Sequence, residues 1–259
     1  MAASFYELDG ARLLPTELTR GPWDPDAQHA GPPAALLGRA LERCEPQGQA
    51  QIGRITFEIL GPVPLAPLTV EAGVVRPGRS VELLEARLAG PEGELMRATA
   101  WRLRTRPLEL EPEREAPPPG PDHGQAKPFF PTGHDVGYHT AMEARFVTGG
   151  FLELGPATVW MRMRHPLVAG EAPSPLQRVL IAADSGNGVS AALDYGRYVF
   201  INTDLSVHLQ RLPETEWVCL DAVTRPERSG LGLTDTALWD ERGRIGRAAQ
   251  TLLIHDRGL

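Results

Sequence analysis

The chain has 259 residues and a formal net charge of −7 at pH 7, with 26 Lys and Arg against 33 Asp and Glu. Its 42% hydrophobic residues can build one large core or two smaller ones. The acidic balance excludes a global basic surface for nucleic acid, and no window approaches the ~20 uninterrupted apolar residues of a membrane span. The N-terminus carries acids and no apolar run of signal length. We therefore expect a cytoplasmic protein without nucleic-acid or membrane partners.

The first half predicts one helix followed by four strands. Pro32 and Pro33 suit the first turn of a helix, where a missing N–H costs little, and apolar residues recur through Leu41 at the spacing of one buried face. A Pro-Glu-Gly turn joins the last two strands. The strand-like runs cover residues 51–60, 67–78, 80–90 and 94–105.

A proline-rich stretch divides the chain. Residues 106–131 contain eight prolines and a block of Glu. Because proline fixes φ and removes a hydrogen-bond donor, neither a helix nor a central strand is expected there. The sequence therefore predicts an N-terminal domain at 1–106, an extended linker at 107–131 and a C-terminal domain at 132–259.

The second half predicts a similar set of elements. A helix-like segment runs from Pro175 to Leu193, and strand patterns cover residues 157–167, 198–212, 216–225, 230–240 and 244–256. The final hairpins of the halves also align, with Arg97 opposite Arg247 and Ala98 opposite Ala248. This self-similarity indicates a duplicated α+β domain, in which one helix covers the apolar face of each sheet.

One helical segment contains an unusual break. The stretch AADSGNGVSAALD, residues 182–194, places Asp184 and a Gly-Asn-Gly sequence inside apolar surroundings. A carboxylate there is costly unless it is paired or lightly solvated. Asp184 is either a turn residue that organises the glycine break or a base that acts on a water molecule.

Four segments resemble a known family: HAGPPAALLGRALE, ADSGNGVSAALDYG, INTDLSVHLQR and GRAAQTLLI. They are similar to the acyl-CoA thioesterase II-like superfamily, and most of all to its actinobacterial-type thioesterase members. The resemblance covers nearly the whole chain outside the linker. It implies a double hotdog fold, an α+β architecture with two antiparallel sheets that are each wrapped around a central helix.

The resemblance also implies a catalytic set. In the characterised enzymes an Asp on the second-half helix, a Thr or Asn on the next strand and a Gln on the last strand hold the water that attacks a thioester. By motif these positions fall on Asp184, on Asn202 with Thr203 beside it, and on Gln250. The characterised enzymes carry Thr where this chain has Asn202. The implied partner is an acyl-CoA, and no metal or cofactor is required because thiolate is a good leaving group.

Backbone N–H groups are the expected donors to the oxyanion of the tetrahedral intermediate. The start of the first helix at Gly31 and the glycine-rich break at Gly186, Asn187 and Gly188 offer such groups. These four positions are the predicted substrate-binding residues.

Several alternatives remain open at the level of sequence. Asn202 alternates with Phe200 on a face opposite Ile201, which also fits an exposed strand face. Gln250 falls on the core face of its strand, where a structural partner is as reasonable as a water. His29 is interpreted as a loop residue, or as the base of a hydratase. A non-catalytic hotdog protein that binds acyl-CoA or acts as a scaffold is the alternative function, and exposed sheet edges favour a homo-oligomer.

Overall fold

The first half forms a hairpin, one long helix and a four-stranded unit. The computed structural model describes residues 3–45, 48–112 and 115–258. The elements are β1 (Tyr6–Asp9), β2 (Arg12–Pro15), α1 (Gly31–Arg43), β3 (Ala50–Ile59), β4 (Thr69–Arg76), β5 (Val81–Gly90) and β6 (Gly93–Arg104). The four strands that follow α1 match the predicted ones closely. The β1–β2 hairpin was not predicted, because strands of four residues are too short to show a period.

The second half repeats this plan with two interruptions. Its elements are α2 (Tyr138–Ala141), β7 (Met142–Gly150), β8 (Glu153–Met163), α3 (Pro175–Ala183), α4 (Gly186–Val189), β9 (Tyr198–Asn202), β10 (Asp204–Leu209), β11 (Val218–Pro226), β12 (Leu231–Asp240) and β13 (Gly243–Asp256). The predicted helix at 175–193 is thus two helices that part at Asp184. The predicted strand at 198–212 is two strands that part at Thr203. Among the described residues of 107–131, the predicted linker, there is one short 3-10 helix at Pro121–His123.

Eleven of the thirteen strands found among the described residues form one antiparallel sheet. Its order is β4-β5-β6-β3-β10-β13-β12-β11-β8-β7, with β9 also paired to β13. The sheets of the two halves meet where β3 pairs with β10, for example at Phe57 and Leu205. The two sheets expected from the sequence are therefore continuous with each other.

The duplication is visible in the strand register. Val81 of β5 pairs with Leu103 of β6, and Leu231 of β12 pairs with Leu253 of β13, at a constant offset of 150 positions. A register shift follows Leu88 in the first hairpin and Leu238 in the second. An irregularity at the same place in both hairpins supports a common origin of the halves.

The core lies between the sheet and the two long helices. Leu36 and Leu37 of α1 and Leu180 of α3 are fully buried in one cluster that spans both halves. The helices approach closely, since a Cβ at Gly31 would come under 3.0 Å from the carbonyl oxygen of Ile181. This approach brings the beginning of α1 to the end of α3. Among the described residues, none of the helices combines the length and the apolar character needed to cross a membrane.

Candidate active site

Asp184 lies at the end of α3 with its side chain only 5% exposed. One carboxylate oxygen, Oδ1, accepts a hydrogen bond from Asn202 Nδ2 at 2.8 Å. The other, Oδ2, lies 3.0 Å from Nδ1 of His29. The acid thus has two polar partners, one from each half of the chain, which meets the condition for burying a charged group.

Local sequence explains why α3 stops at Asp184. The helix begins at the N-cap Ser174, whose hydroxyl accepts from the N–H of Gln177, and it ends where the Gly-Asn-Gly sequence begins. Gly186 is required by space, because a Cβ there would lie 2.6 Å from Thr236 Oγ1 and 2.9 Å from Gln250 Oε1. The chain then forms the single turn of α4.

Gln250 stabilises this break through its amide group. Its Nε2 donates to the backbone carbonyl of Asp184 at 3.2 Å, and its Oε1 accepts from the N–H of Asn187 at 3.1 Å. Gln250 is 1% exposed and lies on the core face of β13, as its alternation predicts. The structure therefore brings Gln250 to Asp184, but to the backbone of the acid and not to its carboxylate.

A break in the second-half sheet places Asn202 beside Asp184. At the bend, the N–H of Thr203 donates to Thr251 and the carbonyl of Thr203 accepts from Ile59 in the first half. Phe200 is 6% exposed and Ile201 is 46% exposed, the reverse of the predicted faces. The exposed-face interpretation of Asn202 is therefore wrong. The register against β13 shifts by one residue across this bend, from Asn202 opposite Leu252 to Ser206 opposite Ala249. This shift resets the alternation, and so the sequence pattern alone misplaced Asn202.

His29, interpreted from the sequence as a loop residue or as the base of a hydratase, is a member of the site. Its backbone N–H donates to Thr19, and its ring stacks on Tyr138 with centroids 3.7 Å apart and an angle of 6° between the planes. No local signal indicated the site, because the acid partner Asp184 belongs to the other half of the chain.

Tyr138 was also missed. It is 2% exposed, and its hydroxyl donates to the carbonyl of Ile181 at 2.7 Å. The hydroxyl of Ser185 lies 2.9 Å away. Burial raises the pKa of Tyr138 well above its usual value, so the phenol stays neutral and remains a donor. Tyr138 thus connects the ring of His29 to the last turn of α3.

Nδ1 of His29 has two neighbours that demand opposite protonation states. The N–H of Gly31 points at this nitrogen from 3.1 Å and needs a lone pair there, whereas an ionised Asp184 needs a proton. The contact that meets hydrogen-bond geometry is the one from Gly31, whereas Asp184 Oδ2 lies within ion-pair distance of the same nitrogen.

Asp184, His29 and Asn202 line a cavity of about 380 Å³ between the halves, which we call the central cavity. Its wall comes from residues within 21–30, 59–63, 184–187 and 199–203. Most of the wall is apolar, and it contains no Lys or Arg. A cavity of this volume accommodates roughly a dozen heavy atoms, if each occupies about the ~30 Å³ of a water molecule.

The residues predicted as oxyanion donors are not all on the wall of the central cavity, and two of their N–H groups already have partners. Asn187 lines the central cavity, but its N–H is bound to Gln250, and the N–H of Gly31 is directed at His29. Gly31, Gly186 and Gly188 do not contribute to the cavity wall. In the described part of the chain the N–H of Ala30 has no partner, and Ala30 does line the cavity. Ala30 is therefore the better-placed donor at the start of α1.

In the part of the chain that the structure describes, the polar set occurs once. At the offset of 150 positions, Ile52 occupies the place of Asn202 and Ala100 that of Gln250. Both counterparts are apolar and cannot hold a water or a carboxylate. The described residues also contain no group of three or more His, Cys, Asp or Glu that would hold a metal ion.

Comparison with known proteins identifies the family and the fold. Family models of the acyl-CoA thioesterase N-terminal and C-terminal domains match residues 19–103 and 107–254. A protein of unknown function with a hotdog fold from Alicyclobacillus acidocaldarius is 17% identical, with a TM-score of 0.72 over 97% of this chain and 95% of that one. The acyl-CoA thioesterase II TesB2 of Mycobacterium marinum is 14% identical, with a TM-score of 0.66 over 92% and 95%. No curated protein matches the chain.

The fold is therefore that of a double hotdog protein, and the α+β class expected from the sequence is confirmed. With matches that span both halves, the chain belongs to the acyl-CoA thioesterase family.

Proposed function

We propose that the protein hydrolyses acyl-CoA thioesters to a free acid and CoA. The observation that carries this proposal is a buried carboxylate, Asp184, with polar partners from both halves at the wall of a mostly apolar cavity. Membership of the acyl-CoA thioesterase family supports the same reaction.

The cavity suits the two ends of such a substrate. Its apolar wall accommodates an acyl chain, and the polar corner formed by Asp184, His29 and Asn202 binds a water next to the thioester carbonyl. Thr203 lies on the same wall and adds a hydroxyl. The N–H of Ala30 is the proposed donor to the developing oxyanion. Gln250 acts by fixing the helix break that presents Asp184 and Asn187.

Release of thiol from a panel of acyl-CoAs tests the proposal. We expect hydrolysis by the wild type and a loss of ~100-fold or more in Asp184→Asn, the range typical of a lost acid–base group. Asp194→Asn is the matched control, because the side chain of Asp194 is exposed and its one donor among the described residues is the backbone N–H of Gly196. Equal rates in all three proteins would contradict the proposal.

The same panel separates the alternatives. Binding of an acyl-CoA without release of thiol would identify a non-catalytic binding protein instead. A change in double-bond absorbance with an enoyl-CoA would identify a hydratase.

Self-association is a second property that we propose. Leu231 pairs with Leu253, and Leu253 pairs with Ile201, so that these side chains form an apolar strip on the outer face of the sheet. They are 46–59% exposed, and contiguous apolar patches of this kind mark interfaces. Light scattering should give a mass above that of one chain, and Leu231→Glu should lower it. A monomeric wild type would exclude this association.

A further inference from the structure

We infer that His29 is the catalytic base of the hydrolysis and that Asp184 acts through it. This inference rests on the proposed function, since it concerns the same site and the same reaction. It reverses the assignment that the family resemblance implies, in which the acid itself activates the water.

The environment of the two side chains favours the imidazole. Asp184 is 5% exposed, and its two oxygens are turned toward Asn202 and His29. His29 is 13% exposed and lies on the cavity wall. Its Nδ1 faces Asp184, whereas its Nε2 makes no hydrogen bond to any residue that the structure describes and is absent from the buried, unpartnered nitrogens. Nε2 is thus the basic atom that solvent in the cavity can reach.

In this mechanism the proton of the neutral imidazole is assigned to Nδ1, between the ring and Asp184 Oδ2 at 3.0 Å and in place of the contact from Gly31, which leaves the lone pair on Nε2. A carboxylate that fixes the tautomer of a histidine and stabilises the imidazolium is the arrangement of the acid and base in serine hydrolases. Here a water takes the place of the serine hydroxyl.

The reaction balances without any further reagent. The water oxygen forms a bond to the thioester carbon as Nε2 takes one of its protons, and the carbonyl π electrons move to oxygen. Collapse of this tetrahedral intermediate breaks the C–S bond, and the imidazolium returns its proton to the leaving thiolate. The products are the carboxylic acid and the free thiol of CoA.

Tyr138 is the positioning residue of this pair. Its ring covers one face of the imidazole at 3.7 Å, and its hydroxyl bonds to Ile181 O in the last turn of α3. The stack restrains the imidazole plane, and an aromatic face also favours a cationic neighbour. The titratable groups that face His29 are Asp184 and Tyr138, and Asp24 lies on the same cavity wall.

Substitutions of His29 distinguish the two assignments. In His29→Asn the amide N–H takes the place of Nδ1–H and keeps a donor for Asp184, but the variant lacks Nε2. If His29 is the base, His29→Asn should fold like the wild type and lose ~100-fold or more in kcat. A rate of His29→Asn within about threefold of the wild type would overturn the inference.

Chemical rescue separates a chemical role of His29 from a structural one, because added base does not restore the rate of a variant whose defect is only structural. Added imidazole should raise the rate of His29→Ala by about tenfold or more, because it fills the vacated space and supplies the missing base. It should not raise the rate of Asp184→Asn, which retains His29. A rate of His29→Ala that imidazole leaves unchanged would overturn the inference.

The rate of the double variant His29→Asn/Asp184→Asn should lie within about threefold of the rate of the slower single variant, because the losses of residues that act as a unit do not multiply. Multiplied losses would mean two independent roles and would overturn the inference. If the wild type releases no thiol, the proposed function itself fails, an outcome that the first measurement separates from the others.

Discussion

Gly31→Ala tests the close approach of α1 and α3 on which the site depends. The added Cβ would lie under 3.0 Å from the carbonyl oxygen of Ile181, whereas ordinary contacts begin at 3.4 Å. Both partners are backbone, so no side chain can rotate away. The helices must separate by roughly 1 Å, as in other overpacked cores.

The cost of this separation has two parts. Overpacking costs about 1–3 kcal/mol, and weakening the hydrogen bond from Tyr138 to Ile181 adds about 1 kcal/mol. Alanine at the first turn of a helix recovers a few tenths of a kcal/mol. We therefore expect a loss of about 2–3 kcal/mol, or roughly 5–10 °C in Tm. The rate should fall as well, because His29 moves away from Asp184.

Gly188→Ala is the matched control for this substitution. Its Cβ would find Phe130 at 3.8 Å, an ordinary contact, so the same chemical change should alter stability by at most about 1 kcal/mol. Urea denaturation of both variants and the wild type gives the comparison. Equal midpoints for Gly31→Ala and Gly188→Ala would refute the argument from helix contact.

Three further predictions concern buried polar groups. Arg211→Ala should destabilise the fold by about 3–5 kcal/mol, because it leaves the fully buried Asp240 without its two hydrogen bonds from the guanidinium at 2.6 and 2.5 Å. Arg225→Ala, which breaks an exposed ion pair, should change urea stability by less than about 1 kcal/mol. Burial alone would raise the pKa of Asp240, but Arg211 and two backbone N–H groups hold that pKa below its usual value. The ionised carboxylate therefore stabilises the fold at pH values above its unfolded pKa of about 3.9. That part of the stability should vanish as pH falls through the lower folded pKa of Asp240. The difference in urea midpoint between the wild type and Asp240→Asn should therefore be smaller at pH 2 than at pH 6. An equal difference at the two pH values would contradict this prediction. Gln250→Leu should cost about 2–3 kcal/mol by freeing the Asp184 carbonyl and one backbone N–H, and unchanged denaturation would show that the helix break does not need the amide.

The parts of the fold that the sequence predicts well are those governed by local period and turns. β3, β5 and β6 begin and end within a few residues of the predicted bounds, because alternation and the turn at residues 91–93 define them. β7 was missed, since its register against β8 shifts on either side of Thr148 and its pattern is irregular. The Gly-Asn-Gly sequence did mark the break between α3 and α4.

The candidate site was only partly predictable for a related reason. Asp184 and Asn202 were found through family resemblance, and Gln250 through the core face of its strand. His29 and Tyr138 are defined by contacts between segments far apart in the chain, which no local pattern records. The orientation of Asn202 depends on the bend at Thr203, where the register against β13 shifts by one residue and pairing with β3 begins.

The apolar counterparts Ile52 and Ala100 have a consequence for stoichiometry. Two identical halves would contain two equivalent sites, whereas this chain has polar residues at one site and apolar residues at the corresponding positions of the other half. A slowly released thioester analogue should therefore saturate at a single equivalent per polypeptide. Outside the segment that carries His29 and Ala30, that half can accept mutations for packing alone.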